Sequence, residues 1–188
     1  MSANIQEFQH TIAKEVSYSG IGLHSGKDVL ITLKPAAVNT GVTFIRTDIP
    51  GKPEIRALAE NVSSTVKATT LSENGAEVFT VEHLMAAISM SGVDNIRIEM
   101  SSPEPPVADG SAQIFSELLD EAGLVEQEAE RKVYAVDKAF AVYDGDRYIT
   151  ILPYDGYRIS FTSINNHPML GTQYFDVLLD KELSLIHI

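Results

Sequence analysis

Two short stretches of this chain carry the hydrophobic spacing of a helix, and strand-like segments surround both. After Thr80, the residues Val81, Leu84, Met85 and Ile88 fall at i, i+3, i+4 and i+7, which is one stripe of an α-helix. Thr80 is placed to cap that helix and Gly92 to stop it. Residues 94–100 return to period two, with Ile96, Ile98 and Met100 opposed to Asn95, Arg97 and Glu99. A second helical stripe, Ile114, Phe115, Leu118, Leu119 and Ala122, follows Asp109-Gly110-Ser111 and closes at Gly123. The predicted class is α+β. The two stripes are expected to be buried together on one face of a sheet, completing a two-layer sandwich by about Val125.

The strands of that sheet are predicted at residues 11–18, 27–34 and 41–46, with shorter ones at 54–58 and 67–71. Val29, Ile31 and Leu33 share one face, and Pro35 ends their strand. Glu73-Asn74-Gly75 marks a turn. Pro103-Glu104-Pro105-Pro106 fits neither a helix interior nor a central strand. Residues 126–130 are acidic and carry few large apolar groups, which places a domain boundary there: 1–128, then 129–182. Strands resume at 133–143, 148–152 and 157–163, and no helix follows. A strand ending at Pro35 precedes one through Phe44, and a strand ending at Pro153 precedes one through Phe161. This echo is either two copies of one α/β unit or a pair of ordinary hairpins. On the first reading, the second copy is incomplete. The last six residues, Leu183-Ser184-Leu185-Ile186-His187-Ile188, fit no element. One back-translation of them, CTG TCT CTT ATA CAC ATC, is similar to a transposon-adapter end, so 183–188 are expected to be a non-native tail on a truncated chain.

Asp and Glu number 26 against 14 Lys and Arg, a net charge of −12. So acidic a chain lacks the basic surface that a general nucleic-acid binder needs. There is no Cys, hence no disulfide, no thiolate metal site and no Cys nucleophile. A transition metal would have to be held by His and carboxylates. No apolar run approaches the ~20 residues that span a bilayer, and residues 1–10 have no signal-peptide core. A cytoplasmic protein is expected.

No P-loop, GxGxxG after a strand, GxSxG or HExxH occurs, so any chemistry rests on scattered polar residues. Glu82-His83 lies in the first turn of the first helix. A neutral imidazole can ligate a metal, and an adjacent carboxylate can take a proton from metal-bound water. The same pair is also what a dipole-favoured Glu beside a surface His looks like. His24 sits among glycines that let backbone approach a ligand, or is simply a residue of a hairpin tip. Asp109 can orient a catalytic group or cap the helix after it. Lys67, in a segment with Thr65, Thr69 and Thr70, can meet a phosphate or solvent. His167 in its loop can reach a ligand or serve a turn, and His10 is expected to face solvent.

Taken in order, Gly20-Ile21-Gly22-Leu23-His24-Ser25-Gly26, Thr80-Val81-Glu82-His83-Leu84, Asp94-Asn95 and Pro103-Glu104-Pro105-Pro106-Val107-Ala108-Asp109-Gly110-Ser111-Ala112 are far more specific than any one alone. They resemble the UDP-3-O-acyl-N-acetylglucosamine deacetylase (LpxC) family of lipid A biosynthesis, from about Gln9 to Asp180. The resemblance implies a zinc amidohydrolase of two similar α/β sandwich domains in tandem, with the active site between them. It implies that His83 is a zinc ligand, that Glu82 is the general base, and that Asp109 and His24 are polar residues near the site. It assigns Thr65, Val66 and Lys67 to the substrate entrance, where the family is usually more apolar than Lys67.

The chain departs from the family after that. It contains no HKxxD motif, which holds the family's other two zinc ligands. It also lacks the ARTF segment whose Thr helps stabilise the oxyanion, and the later general-acid His. The insert that forms the acyl-chain passage is at most begun after Tyr174. The run His167-Pro168-Met169-Leu170-Gly171-Thr172-Gln173 resembles a branch in which the deacetylase is fused to a hydroxyacyl dehydratase. The expected function is zinc-dependent N-deacetylation of the UDP-sugar, with this chain inactive alone. The alternative is a non-catalytic module that binds a sugar nucleotide or a protein.

Overall fold

A computed structural model describes residues 7–179, and they divide after Arg131 into two compact units. The first unit contains, in order, β1 (Phe8–Ile12), β2 (Val16–Ile21), β3 (Asp28–Pro35), β4 (Val42–Arg46), β5 (Glu54–Arg56), a 3₁₀ turn (Ala59–Asn61), β6 (Val62–Ser64), β7 (Thr70–Glu73), β8 (Ala76–Phe79), α1 (Glu82–Met90), β9 (Ile96–Met100), α2 (Gln113–Ala122) and β10 (Leu124–Glu130). The class is α+β, as the alternating periods predict.

The main sheet has the order β2-β3-β9-β4-β5. Its pairs are antiparallel except β4 with β9. A parallel neighbour requires a crossover, and the chain between β4 and β9 supplies one that ends in α1. The register aligns one apolar row across all five strands: Val16 opposite Leu33, Leu33 opposite Ile98, Ile98 opposite Phe44, and Phe44 opposite Ile55. Every member of the row is buried. Cross-strand apolar pairs of this kind are the unit of sheet stability.

The helices cover that row. Leu84, Ala87 and Ile88 of α1 and Phe115, Leu119 and Ala122 of α2 belong to the same core as the sheet residues, and the helices touch each other. The expectation that both stripes are buried together is met for Val81, Leu84, Ile88, Phe115, Leu119 and Ala122, with Met85 and Leu118 half-buried against this core, while Ile114 is half-buried and lies outside it. At the end of α1, Gly92 has φ +73°; its N–H donates to the Ser89 carbonyl, and the Val93 N–H donates to the Ile88 carbonyl. This left-handed stop favours a residue without Cβ. Gly92→Ala is expected to cost about 1–2 kcal/mol, read as a lower urea midpoint with unchanged m. A midpoint equal to the parent's would show that the stop is not needed.

Several local expectations change. Residues 11–18 are not one strand: the exposed residues Ala13, Lys14 and Glu15 turn the chain between β1 and β2, which lie in different sheets. The predicted boundary after 128 falls inside β10, three residues before the division after Arg131, and residues 126–130 belong to that strand, which pairs antiparallel with β1. Backbone pairing needs no apolar side chains, so an acidic stretch can complete the unit. Asp94 ties this edge down, accepting from the His10 N–H at 2.8 Å and from Arg131 Nε at 2.7 Å. His10, expected in solvent, is only 9% exposed because it lies in the β1–β10 pair. The predicted strands at 54–58 and 67–71 shift to 54–56 and 70–73, and β7 is the middle of a meander, β6-β7-β8. Asn74 (φ +53°) and Gly75 (φ +76°) form the turn predicted between β7 and β8.

The second unit contains the hairpins β11 (Phe140–Asp144) with β12 (Arg147–Ile151) and β13 (Arg158–Ile164) with β14 (Thr172–Leu178). The strand predicted from 133 begins only at Phe140, and β14 was not foreseen. Val142, Tyr143, Ile149, Phe161 and Tyr174 are exposed, and lone hairpins of this kind are marginal in water. His167 serves a turn: its Nδ1 accepts the Met169 N–H at 3.2 Å. The predicted tail, 183–188, lies outside the described residues.

Candidate active site

Two residues singled out in the sequence, His24 and Thr80, bond to one that the sequence does not mark, Glu104. Glu104 is 0% exposed. Its Oε1 accepts the His24 N–H at 3.0 Å and the Thr80 hydroxyl at 2.9 Å. Its Oε2 accepts the Ser25 N–H at 2.8 Å and the His24 N–H at 3.1 Å. Burial opposes its charge, yet the His24 and Ser25 amides and the Ser25 and Thr80 hydroxyls hold its carboxyl below the usual carboxylate range. The glycines of the hairpin tip allow this approach. A Cβ on Gly22 would lie 2.5 Å from Glu104 Oε2, and one on Gly20 would lie 2.8 Å from Pro106 Cβ. So Gly20-Ile21-Gly22 and the proline-flanked Glu104 are two halves of one packing arrangement.

A carboxyl lowered in the native state adds stability above its unfolded pKa, which is lost as pH falls through the native value. Acid unfolding of the parent should therefore include a proton uptake that Glu104→Gln lacks. Thermal melts of both from pH 5 to pH 2 test this. Parallel curves for parent and variant would exclude Glu104 as a source of the acid sensitivity.

Thr80 does not cap α1. The helix begins at Glu82 behind Val81 and has no side-chain cap, because the Thr80 hydroxyl is given to Glu104. Thr80 is buried at φ +55°, an uncommon conformation for a β-branched residue. Lys67 (φ +64°) and Ala108 (φ +50°) are also left-handed. Asn39, Lys52 and Asn74 share this conformation away from the candidate residues, whereas Ala108 directly precedes Asp109 and Lys67 is itself a candidate.

Glu82 and His83, both half-buried, open the first turn of α1. Glu82 Oε2 accepts the Thr69 N–H at 3.2 Å, which brings it to the segment carrying Thr65, Val66 and Lys67. Val66 is 79% exposed, and Thr65 and Lys67 are exposed too. Asp109 is exposed, and its Oδ1 accepts the N–H and hydroxyl of Ser111 at 2.9 and 2.8 Å. Those bonds chiefly lower its carboxyl, and the nearby His83 imidazole adds to the effect. His24 joins through its backbone, and its side chain is exposed. The chain thus gathers Glu82 with 65–69, His83 with Asp109, and the His24 loop with Thr80.

A catalytic zinc takes three protein ligands and a water. Among the described residues, no group of three His, Asp or Glu is placed to hold a metal. His83 is a suitable single donor, and the described residues alone do not make up a zinc site.

The first unit is α+β and carries a half-buried Glu-His pair in the first turn of a helix. A family model described as "LpxC: UDP-3-O-acyl N-acetylglycosamine deacetylase" matches residues 9–186. A UDP-3-O-acyl-N-acetylglucosamine deacetylase of Geotalea uraniireducens is 44% identical over 93% of this chain and 57% of that protein. The deacetylase of Myxococcus xanthus is 46% identical over 90% of this chain and 54% of its own length. A "Bifunctional enzyme LpxC/FabZ" of Chlorobaculum tepidum is 42% identical over 93% of this chain and 38% of that protein. The chain belongs to the LpxC deacetylase family. It spans about half the length of the curated deacetylases it matches. Among the described residues, no helix is long and apolar enough to cross a membrane.

Proposed function

We propose that this chain supplies half of the active site of a cytoplasmic enzyme that removes the N-acetyl group of UDP-3-O-acyl-N-acetylglucosamine by zinc-dependent hydrolysis, in lipid A biosynthesis. The observation that carries the reading is the Glu82-His83 pair on the open first turn of α1, within a segment matched to the family along its length. His83 is one zinc ligand, and the further ligands come from outside the described residues. Zinc, when bound, supplies charge that polarises an amide carbonyl and acidifies water. Glu82 accepts the proton of the attacking water. Asp109 orients His83 through its negative charge. His24, Thr65, Val66 and Lys67 line the path of the substrate, and Lys67 offers a cation to the diphosphate. A hydroxyacyl dehydratase fused further along the gene belongs to the same proposal, which the bifunctional relative supports.

The test is a chimera in which residues 9–179 replace the matching segment of the Geotalea deacetylase. It should release acetate from the UDP-sugar in a zinc-dependent manner. The 188-residue chain alone should bind zinc weakly and release none. Acetate release by the isolated chain would mean that the ligands are misassigned. A folded chimera that binds the UDP-sugar without turnover would favour the non-catalytic module.

A further inference from the structure

We propose that Glu104 is a positioning residue for the Glu82-His83 pair and acts through Thr80; the inference rests on the reading of that pair as the reacting groups. A carboxylate at 0% exposure is costly unless its oxygens are fully bonded. Here the two oxygens together join two segments. Oε2 holds the hairpin tip through Ser25, Oε1 holds Thr80, and His24 N–H lies between them. The end of β8 and the proline run also meet one residue back, where the Phe79 N–H donates to the Pro103 carbonyl at 3.0 Å. Residues 103–104 therefore strap the end of β8 to the proline-rich run.

What the strap controls follows from the backbone. Thr80 is left-handed at φ +55°, a conformation that a threonine leaves when nothing holds it. Two residues later the chain becomes Glu82. Val81, between them, is 2% exposed, and beyond Glu82 the helix α1 is anchored by buried Leu84, Ala87 and Ile88. Release of Thr80 would thus act on the turn about Val81 and shift the half-buried Glu82 and His83 more than the body of the helix. The hydroxyl bond to Glu104 is what holds the left-handed turn. A clamp acting only on the hairpin tip would leave the first turn of α1 untouched.

Amide hydrogen exchange in the 188-residue chain separates these roles without substrate. The Thr69 amide reports on Glu82, to which it donates, and the His24 and Ser25 amides report on the other arm of Glu104. Thr80→Val removes the hydroxyl and keeps the branch. It should speed Thr69 exchange about tenfold, the order of one lost hydrogen bond to a charged acceptor, and shift the His83 ring signals. His24 and Ser25 should change less than about threefold, since their own bonds to Glu104 remain. Thr80→Gly removes the same hydroxyl but tolerates positive φ, so its Thr69 exchange should stay within about threefold of the parent. Equal effects of Thr80→Val and Thr80→Gly, whether large or absent, would overturn the proposal. If Thr80→Val does not fold, Glu104→Gln with and without Thr80→Gly gives the same test. Adding Thr80→Gly should return Thr69 exchange toward the parent value, and no return would overturn the proposal. Failure of the deacetylase reading would appear only in the acetate assay, so the two can be told apart.

Discussion

Glu82→Gln, placed in the chimeric deacetylase, should lower turnover by about 10²–10⁴-fold, the usual contribution of a positioned general base. The carboxamide keeps the length and shape of the side chain and can still accept the Thr69 N–H that holds Glu82 at 3.2 Å. What it loses is the ability to take a proton from water. Zinc affinity should change by only a few-fold, because His83 and not Glu82 is the proposed ligand. The two measurements are independent: acetate release reports on the base, and competition with a chelator reports on the site. A drop of less than about tenfold would remove Glu82 from the proton-transfer role. A parallel collapse of zinc affinity would instead make it a ligand.

Phe44→Ala should cost about 3–5 kcal/mol of stability in the first unit. Phe44 is fully buried at the crossing of the apolar row, with Ile98 on one side and Ile55 on the other. Removing the ring takes away its burial and leaves a cavity that the sheet cannot close, because paired strands hold both neighbours in register. Typical domains have only about 5–15 kcal/mol in total, so the variant should unfold at much lower urea. Phe44→Leu, closer in volume, should cost less than about 1.5 kcal/mol. Urea melts of the 188-residue chain followed by far-UV circular dichroism test both. A loss below about 1 kcal/mol for Phe44→Ala would mean that the row is not the centre of the core.

Much of the first unit was legible because its signals are local. The i, i+3, i+4, i+7 stripe of α1, the stop at Gly92, the stripe of α2 and the Asn74-Gly75 turn each depend on residues within a few positions of one another. Strand limits were less legible, because a bend at exposed polar residues leaves period two intact on either side, as at Ala13–Glu15. The strand β10 was illegible for a related reason. Its pairing with β1 is made by backbone groups, so its acidic side chains give no sign of it.

The sequence by itself determined the class, the two helices and, through the order of its motifs, the family. It also presented Glu82, His83, Asp109 and His24 as candidates. Only the tertiary structure decided that one buried carboxylate ties the His24 loop to Thr80, two residues before Glu82. Glu104 receives its bonds from His24 and Thr80, residues 80 and 24 positions away. No periodicity encodes a contact over that distance. The nearest sign was a glutamate set among prolines, opposite a loop of closely spaced glycines. Sequence chemistry also assigned Thr80 to the helix cap, since a threonine before a helix usually caps it. Folding gave its hydroxyl to Glu104 instead, because a buried carboxylate must be bonded on both oxygens.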